Sequence, residues 1–228
     1  METENQSARL IMVPTPIGNM GDITFRAIEA LKSCDLILAE DTRQTKKLLN
    51  HFDISTNVES FHQNNEHAKL PYAIRLLNDD KTICYCSDAG TPGISDPGYL
   101  LIREAIANSI SVECLPGATA VIPAVVVSGL PSDRFVFEGF LPHKKGRQKK
   151  LLNLINEERT IVFYESPHRI LKMLDQIEEV LGDRYISISR EISKLHETHY
   201  RGKVDEVRQE LLSKPIKGEI VICVAGKI

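Results

Sequence analysis

The sequence predicts an α/β protein of two domains, with a parallel sheet in the first and a mixed sheet in the second. Three observations carry that expectation. Apolar runs of strand length alternate with helical segments through the first half, the mark of repeated βα units and a sheet covered on both faces. A run of turn formers, Gly129-Leu-Pro131-Ser-Asp133, then breaks the rhythm. Beyond it, two strand-like runs follow one another with no helix between them, which points to antiparallel pairing. The expected domains span residues 8–128 and 133–228.

In the first domain the apolar run at 10–13 predicts a strand, and 22–32 a helix with Asp22 as its N-cap. Strands are expected at 35–39, 59–61, 82–86 and 111–114. The helices between and after them are expected at 42–50, 66–78, 98–108 and from about 118. In the second domain strands are expected at 134–138, 160–164, 185–190, 199–202 and 218–225. Helices are expected at 146–157, 167–181 and 204–212.

Composition narrows the class. The chain has 228 residues, 42% of them hydrophobic and 26% charged, which is ordinary for a globular protein. Its net charge is −3, so any contact with nucleic acid must come from a local basic patch. The start, Met1-Glu-Thr-Glu-Asn-Gln6, is polar and acidic, unlike a signal peptide, and the apolar run at 121–130 is too short to span a bilayer. A cytoplasmic protein with no membrane partner is expected. The five cysteines sit in or beside apolar runs as small hydrophobes, and the odd count argues against a disulfide framework. Cys84-x-Cys86 has no second pair at zinc spacing, so no metal site is expected.

The most informative stretch is Ser87-Asp-Ala-Gly-Thr-Pro-Gly-Ile-Ser-Asp-Pro-Gly98, which joins a strand to a helix. The carboxyl end of a strand is where an open α/β sheet binds small ligands. Gly90, Gly93 and Gly98 permit positive φ or close backbone approach. The loop carries Asp88 and Asp96 but no Lys or Arg, so it suits a neutral or cationic ligand better than a polyphosphate. Asp22, Glu40 and Asp41 lie in neighbouring loops. Taken singly, they are a helix cap and two solvated turn residues. If the sheet is parallel, they converge with Asp88 and Asp96 on one crevice, whose sign favours a cation. The first loop, Val13-Pro-Thr-Pro-Ile-Gly-Asn-Met-Gly21, is stiffened by Pro14 and Pro16 and is not the G-x-G-x-x-G of a dinucleotide fold. Leu115-Pro-Gly-Ala-Thr-Ala120 is either a tight turn or a helix start whose N–H groups face a ligand.

Asp22-Ile-Thr-Phe-Arg-Ala27, with Cys34-Asp35 after it, resembles a signature of the tetrapyrrole methylase superfamily, and Pro116-Gly-Ala-Thr-Ala120 resembles its proline-glycine turn. Pro14-Thr-Pro-Ile-Gly-Asn19, the 87–98 loop and Phe163-Tyr-Glu-Ser-Pro-His-Arg169 are similar to one branch. That branch methylates a cytidine ribose 2′-hydroxyl in the decoding region of bacterial small-subunit ribosomal RNA. The resemblance runs from about Leu10 to Gly226. It implies two α/β domains with a cofactor cleft between them, S-adenosylmethionine as cofactor, and a homodimer acting on small-subunit RNA or the assembled subunit. It further implies that Asp88, Ala89, Gly90 and Ile94, with Thr119 and Ala120, contact the cofactor, mainly through backbone, and that Pro14 closes one wall. Thr91, Gly93, Pro116 and Gly117 belong to the same loops. S-Adenosylmethionine carries net positive charge, so the acid-lined crevice and the resemblance agree.

His143-Lys-Lys-Gly-Arg-Gln-Lys-Lys150 is either a solvated basic turn or an RNA contact through Lys144, Lys145, Arg147, Lys149 and Lys150. With no aromatic cluster beside it, it would position RNA rather than read bases. His62 and His67 are either substrate contacts or surface residues. A 2′-hydroxyl is a weak acid, so a base or a cation is needed near it. The candidates are Asp41 and Arg43 in the first domain, and Glu165, His168, Arg169 and the run from Arg190 to Lys194 in the second. Glu165 and Arg190-Glu191 are equally readable as structural ion pairs. His196-Glu-Thr-His199 is one residue short of the zinc-protease motif. Two other functions stand beside this one: C-methylation of a porphyrin or corrin precursor, and a non-catalytic RNA-binding assembly protein.

Overall fold

The computed structural model describes residues 9–214 and 217–227. The acidic amino-terminal run and the outer limits of the two expected domains lie outside the described residues. The chain divides into two compact units after Thr119.

Among the described residues of the first unit, five strands form one sheet: β1 (Arg9–Met12), β2 (Leu36–Ala39), β3 (Val58–Ser60), β4 (Ile83–Cys86) and β5 (Ser111–Cys114). Their order is β3-β2-β4-β1-β5, and every pairing is parallel. β2 and β4 are buried at every residue, because helices cover both faces. Alternate side chains therefore feed two cores. On one face Leu10, Met12, Leu38 and Tyr85 pack with Leu77 of α3 (Glu66–Asn78) and Leu101 of α4 (Tyr99–Ala107). On the other, Ile11, Ile37, Cys84 and Cys86 pack with Leu31 of α1 (Phe25–Ser33) and Leu48 of α2 (Thr42–His51). Cys114 departs from the expected burial: it ends edge strand β5 and is exposed.

The cap of α1 also departs from expectation. Asp22 ends a short 3-10 turn, Met20–Asp22, after which Ile23 is extended. The helix starts only at Phe25, and the Thr24 hydroxyl accepts the Ala27 N–H at 3.1 Å. Thr24 stands three residues before that amide, the spacing an N-cap hydroxyl needs.

The second unit holds α5 (Val121–Ser128), β6 (Phe135–Phe140), α6 (Arg147–Leu152), β7 (Thr160–Glu165), α7 (Ile170–Leu181), β8 (Tyr185–Arg190), β9 (Thr198–Lys203), α8 (Val204–Ser213) and β10 (Ile220–Val224). Its strands run β6-β7-β10-β8-β9. β6 and β7 are parallel and the other pairs antiparallel, so the sheet is mixed. Ile161, Phe163, Ile188 and Ile222 pack against Met173 and Ile177 of α7 and Val207 and Leu211 of α8. The opposite face, through Val162, Val221 and Cys223, is covered by Val121, Ala124 and Val125 of α5. Helix α5 thus packs on the second sheet although it precedes the Gly129–Asp133 break. Helix α6 stops at Leu152 rather than 157. There the Leu154 and Ile155 amides turn back to the carbonyls three residues earlier, and the chain tightens into turns. Among the described residues no helix is long and apolar enough to cross a membrane.

Candidate functional site

In the first unit the loops after β1, β4 and β5 are stitched together. Thr15 and Gly90 exchange both backbone hydrogen bonds, at 3.0 and 2.9 Å. The buried Thr15 hydroxyl donates to the Ser87 carbonyl at 3.3 Å. The Thr91 hydroxyl donates to the Ala118 carbonyl at 3.0 Å. Gly117 lies against Pro14, so closely that a Cβ there would stand 2.5 Å from the proline Cβ. Gly90 and Gly93 adopt φ of +80° and +83°, which only glycine takes without strain. Pro14, Ala89, Gly90, Thr91, Gly93, Ile94, Pro116 and Gly117 therefore belong to one connected loop layer. Asp88 is the second residue of the β4 loop, and Thr119 precedes Ala120 at the start of α5.

The acids do converge, with one exception. The Asp41 N–H donates to Asp88 Oδ1 at 3.0 Å, and the Asp88 N–H to Glu40 Oε2 at 3.3 Å. Burial raises the pKa of Asp88 and of Glu40. Asp96 is pushed up to about 6, first by burial, then by the Glu40 charge and more weakly by Asp88; the nearby Ser87 hydroxyl opposes the rise. Asp41 goes the other way. The Arg43 guanidinium holds it at about 2, with Nη2 at 2.6 Å from Oδ2, while its Oδ1 caps α2 by accepting the Arg43 N–H at 2.8 Å. Asp22 is placed in the 3-10 turn instead.

A cavity of about 160 Å³ opens beside Asp88, lined in part by Pro16, Gln44, Thr45, Lys47 and Leu48. Sequence reasoning missed Gln44, Thr45 and Lys47. Their one available signal was position, the first turns of the helix that follows β2.

In the second unit the basic segment does not act as one patch. Lys144, Lys145, Lys149 and Lys150 are exposed, and Lys150 lies 3.7 Å from Glu138. Arg147 is 4% exposed and turns inward, so it does not belong to an RNA-facing surface. Its Nη2 is 2.9 Å from Glu165 Oε2, and its Nε donates to Gln176 at 2.6 Å. Glu165, 2% exposed, also pairs with Arg169 at 2.6 Å, and Arg169 contacts His143 at 3.0 Å. A carboxylate clamped by two guanidinium groups inside a core is a structural hub. Arg190 donates to the carbonyls of Lys217 and His196, and Lys194 pairs with Glu191 at 2.8 Å and Glu219 at 3.0 Å. Both brace the β8–β9 connection. His199 donates to or accepts from Ser189 at 3.0 Å, beside Glu197 at 2.9 Å.

A parallel sheet with a glycine-rich, acid-lined loop layer, followed by a mixed sheet, defines the class. The chain belongs to the tetrapyrrole (corrin/porphyrin) methylases, whose family model matches residues 9–208. It is 47% identical over 219 residues to the ribosomal RNA small subunit methyltransferase I of Thermotoga maritima, covering 96% of this chain and 99% of that protein. It is 45% identical over 226 residues to the protein of that name from Halalkalibacterium halodurans, covering 99% of this chain and 78% of that one. A solved uroporphyrin-III C-methyltransferase from Thermus thermophilus, complexed with S-adenyl homocysteine, shares the fold. Its TM-score is 0.66 at 17% identity, over 95% of this chain and 97% of that one.

Proposed function

We propose that this protein is an S-adenosylmethionine-dependent methyltransferase of small-subunit ribosomal RNA, acting on a cytidine ribose 2′-hydroxyl. The observation that carries the reading is identity of 45–47%, over nearly the whole chain, to proteins named as small-subunit ribosomal RNA methyltransferases. The loop layer fits the cofactor's chemistry: Asp88, Ala89 and Ile94 are exposed along a glycine-rich backbone that can meet its polar groups, and Glu40, Asp88 and Asp96 balance its positive charge. Bound there, S-adenosylmethionine supplies an electrophilic methyl group.

The chain's own residues orient the acceptor. Alignment of an oxygen behind the bond that breaks can contribute several kcal/mol, about 7–11 at best. Asp41, held at about 2, is a weak base at neutral pH. Its partner Arg43 keeps a protonated guanidinium at the same edge and is the group we assign to lowering the acidity barrier of the 2′-hydroxyl. Glu165, Arg190 and Lys194 are committed to ion pairs and carbonyls in the second unit, and we assign them structural roles. Lys144, Lys145, Lys149 and Lys150 position the RNA. The enzyme is proposed to work in the cytoplasm as a homodimer.

The test is methyl transfer from labelled S-adenosylmethionine to small subunits lacking the modification, with naked RNA and porphyrin precursors in parallel. Label on a ribose 2′-oxygen supports the reading. Label on a tetrapyrrole alone overturns the substrate, and cofactor binding without any transfer favours an assembly role. Asp88→Lys is expected to abolish calorimetric cofactor binding; unchanged affinity would refute the charge argument.

A further inference from the structure

The cavity beside Asp88 is left over once the loop layer is assigned to the cofactor. It is small, about 160 Å³, below the 300–1,000 Å³ that a drug-sized ligand takes. Pro16, Met20 and Leu48 give it apolar surface suited to the faces of a flat ring. Its polar groups are few and specific. Lys47 Nζ donates to Gln44 Oε1 at 3.1 Å, which leaves the Gln44 amide NH₂ and two ammonium protons free to donate. The buried Ser87 hydroxyl also lines it, beside the Asp96 carboxylate. Asp88 spends Oδ1 on the Asp41 amide and keeps Oδ2 as an acceptor.

Several donors and one carboxylate acceptor around a single-ring space match a pyrimidine that has ring acceptors and an exocyclic amine. A carboxylate accepting from the amine of cytosine is the pairing that distinguishes it from uracil, which presents a carbonyl there. We propose that this cavity holds the base of the nucleotide being methylated, a cytosine drawn out of its stack, with Asp88 accepting from its amine and Gln44 and Lys47 donating to its ring acceptors. The proposal rests on the ribosomal RNA reading above and adds the subsite. Asp88 then stands at both sites, so a base seated here brings its own ribose toward the cofactor loops. That is the orientation the in-line reaction needs.

Two variants probe the cavity without touching the core: Gln44→Ala/Lys47→Ala, which removes its donors, and Met20→Trp, which fills it from an exposed position. Both are expected to bind S-adenosylmethionine as the wild type does by calorimetry, and to lose on the order of 10²-fold in kcat/KM on small subunits. Subunits with uridine or a purine at the target should be methylated by the wild type with a similar loss. In amide NMR spectra, cytidine 5′-monophosphate should shift the Gln44 and Lys47 signals of the wild type saturably and leave Met20→Trp unmoved. A wild type that methylates subunit RNA while both variants keep full kcat/KM overturns the subsite alone. Equal methylation of cytidine and purine targets does the same. A wild type that never labels subunit RNA overturns the function proposed above, and is told apart by that result.

Discussion

Asp96 and Arg147 are the two residues whose placement has the sharpest consequences. Asp96 titrates at about 6 in the folded chain against 3.8 for an ordinary aspartate, so the folded state holds its proton more tightly than the unfolded one. Its contribution to stability therefore falls as pH rises through that window and is level above it. A cationic ligand favours the ionised carboxylate, so affinity for S-adenosylmethionine should rise as pH climbs through about 6. Asp96→Asn is expected to flatten both profiles; urea unfolding and calorimetry between pH 4 and 8 will read them. Arg147→Ala removes one of two clamps on a buried carboxylate and should cost about 3 kcal/mol in urea unfolding. Lys149→Ala, two residues on and exposed, should cost under about 0.5 kcal/mol. The sequence gives no sign of this difference. Five cations in eight residues read as one patch, and only the burial of Glu165 reveals that one of them faces inward. Asp22 was expected to cap α1, and only the observed helix start at Phe25 gives that place to Thr24.

At the level of elements, the βα rhythm was readable because β2 and β4 are apolar at every position and α3 and β5 have clear limits. What the rhythm could not disclose is packing between loops. Gly117 reads as one more turn glycine, yet its neighbour is Pro14, more than a hundred residues earlier. Gly117→Ala should push the first and third loops apart, at about 1–3 kcal/mol, because neither backbone nor proline ring can yield easily. Cofactor affinity should fall with it, whereas Gly182→Ala, where a Cβ meets nothing but φ is +86°, should cost stability and spare cofactor binding. Melting temperature and calorimetry on the two variants separate these outcomes. The end of α6 was likewise hidden, since Leu152 to Glu157 continues a helical pattern that the hydrogen bonds abandon.

Across the whole molecule, a net charge of −3 does not draw RNA, so the proposed RNA contact calls for local basic patches, and the exposed Lys144, Lys145, Lys149 and Lys150 are the proposed positioning patch. Each one that neutralises a phosphate should add about 0.7–0.9 to the slope of log affinity against log salt. Lys144→Ala, Lys145→Ala and Lys149→Ala should each lower that slope in filter binding to subunit RNA. Lys150→Ala should lower it less, because Glu138 already shares its charge. Overall class was legible from the sequence at this scale, whereas the cavity was not: its lining comes from three separated stretches that only the folded chain brings together. The reciprocal bonds between Thr15 and Gly90 carry one more consequence. Each amide proton is hidden by the other residue's carbonyl, so neither can meet solvent unless both loops part together. In deuterium these two amides should exchange at one common rate, and bound cofactor should slow them in step, a built-in clock for the opening of this edge.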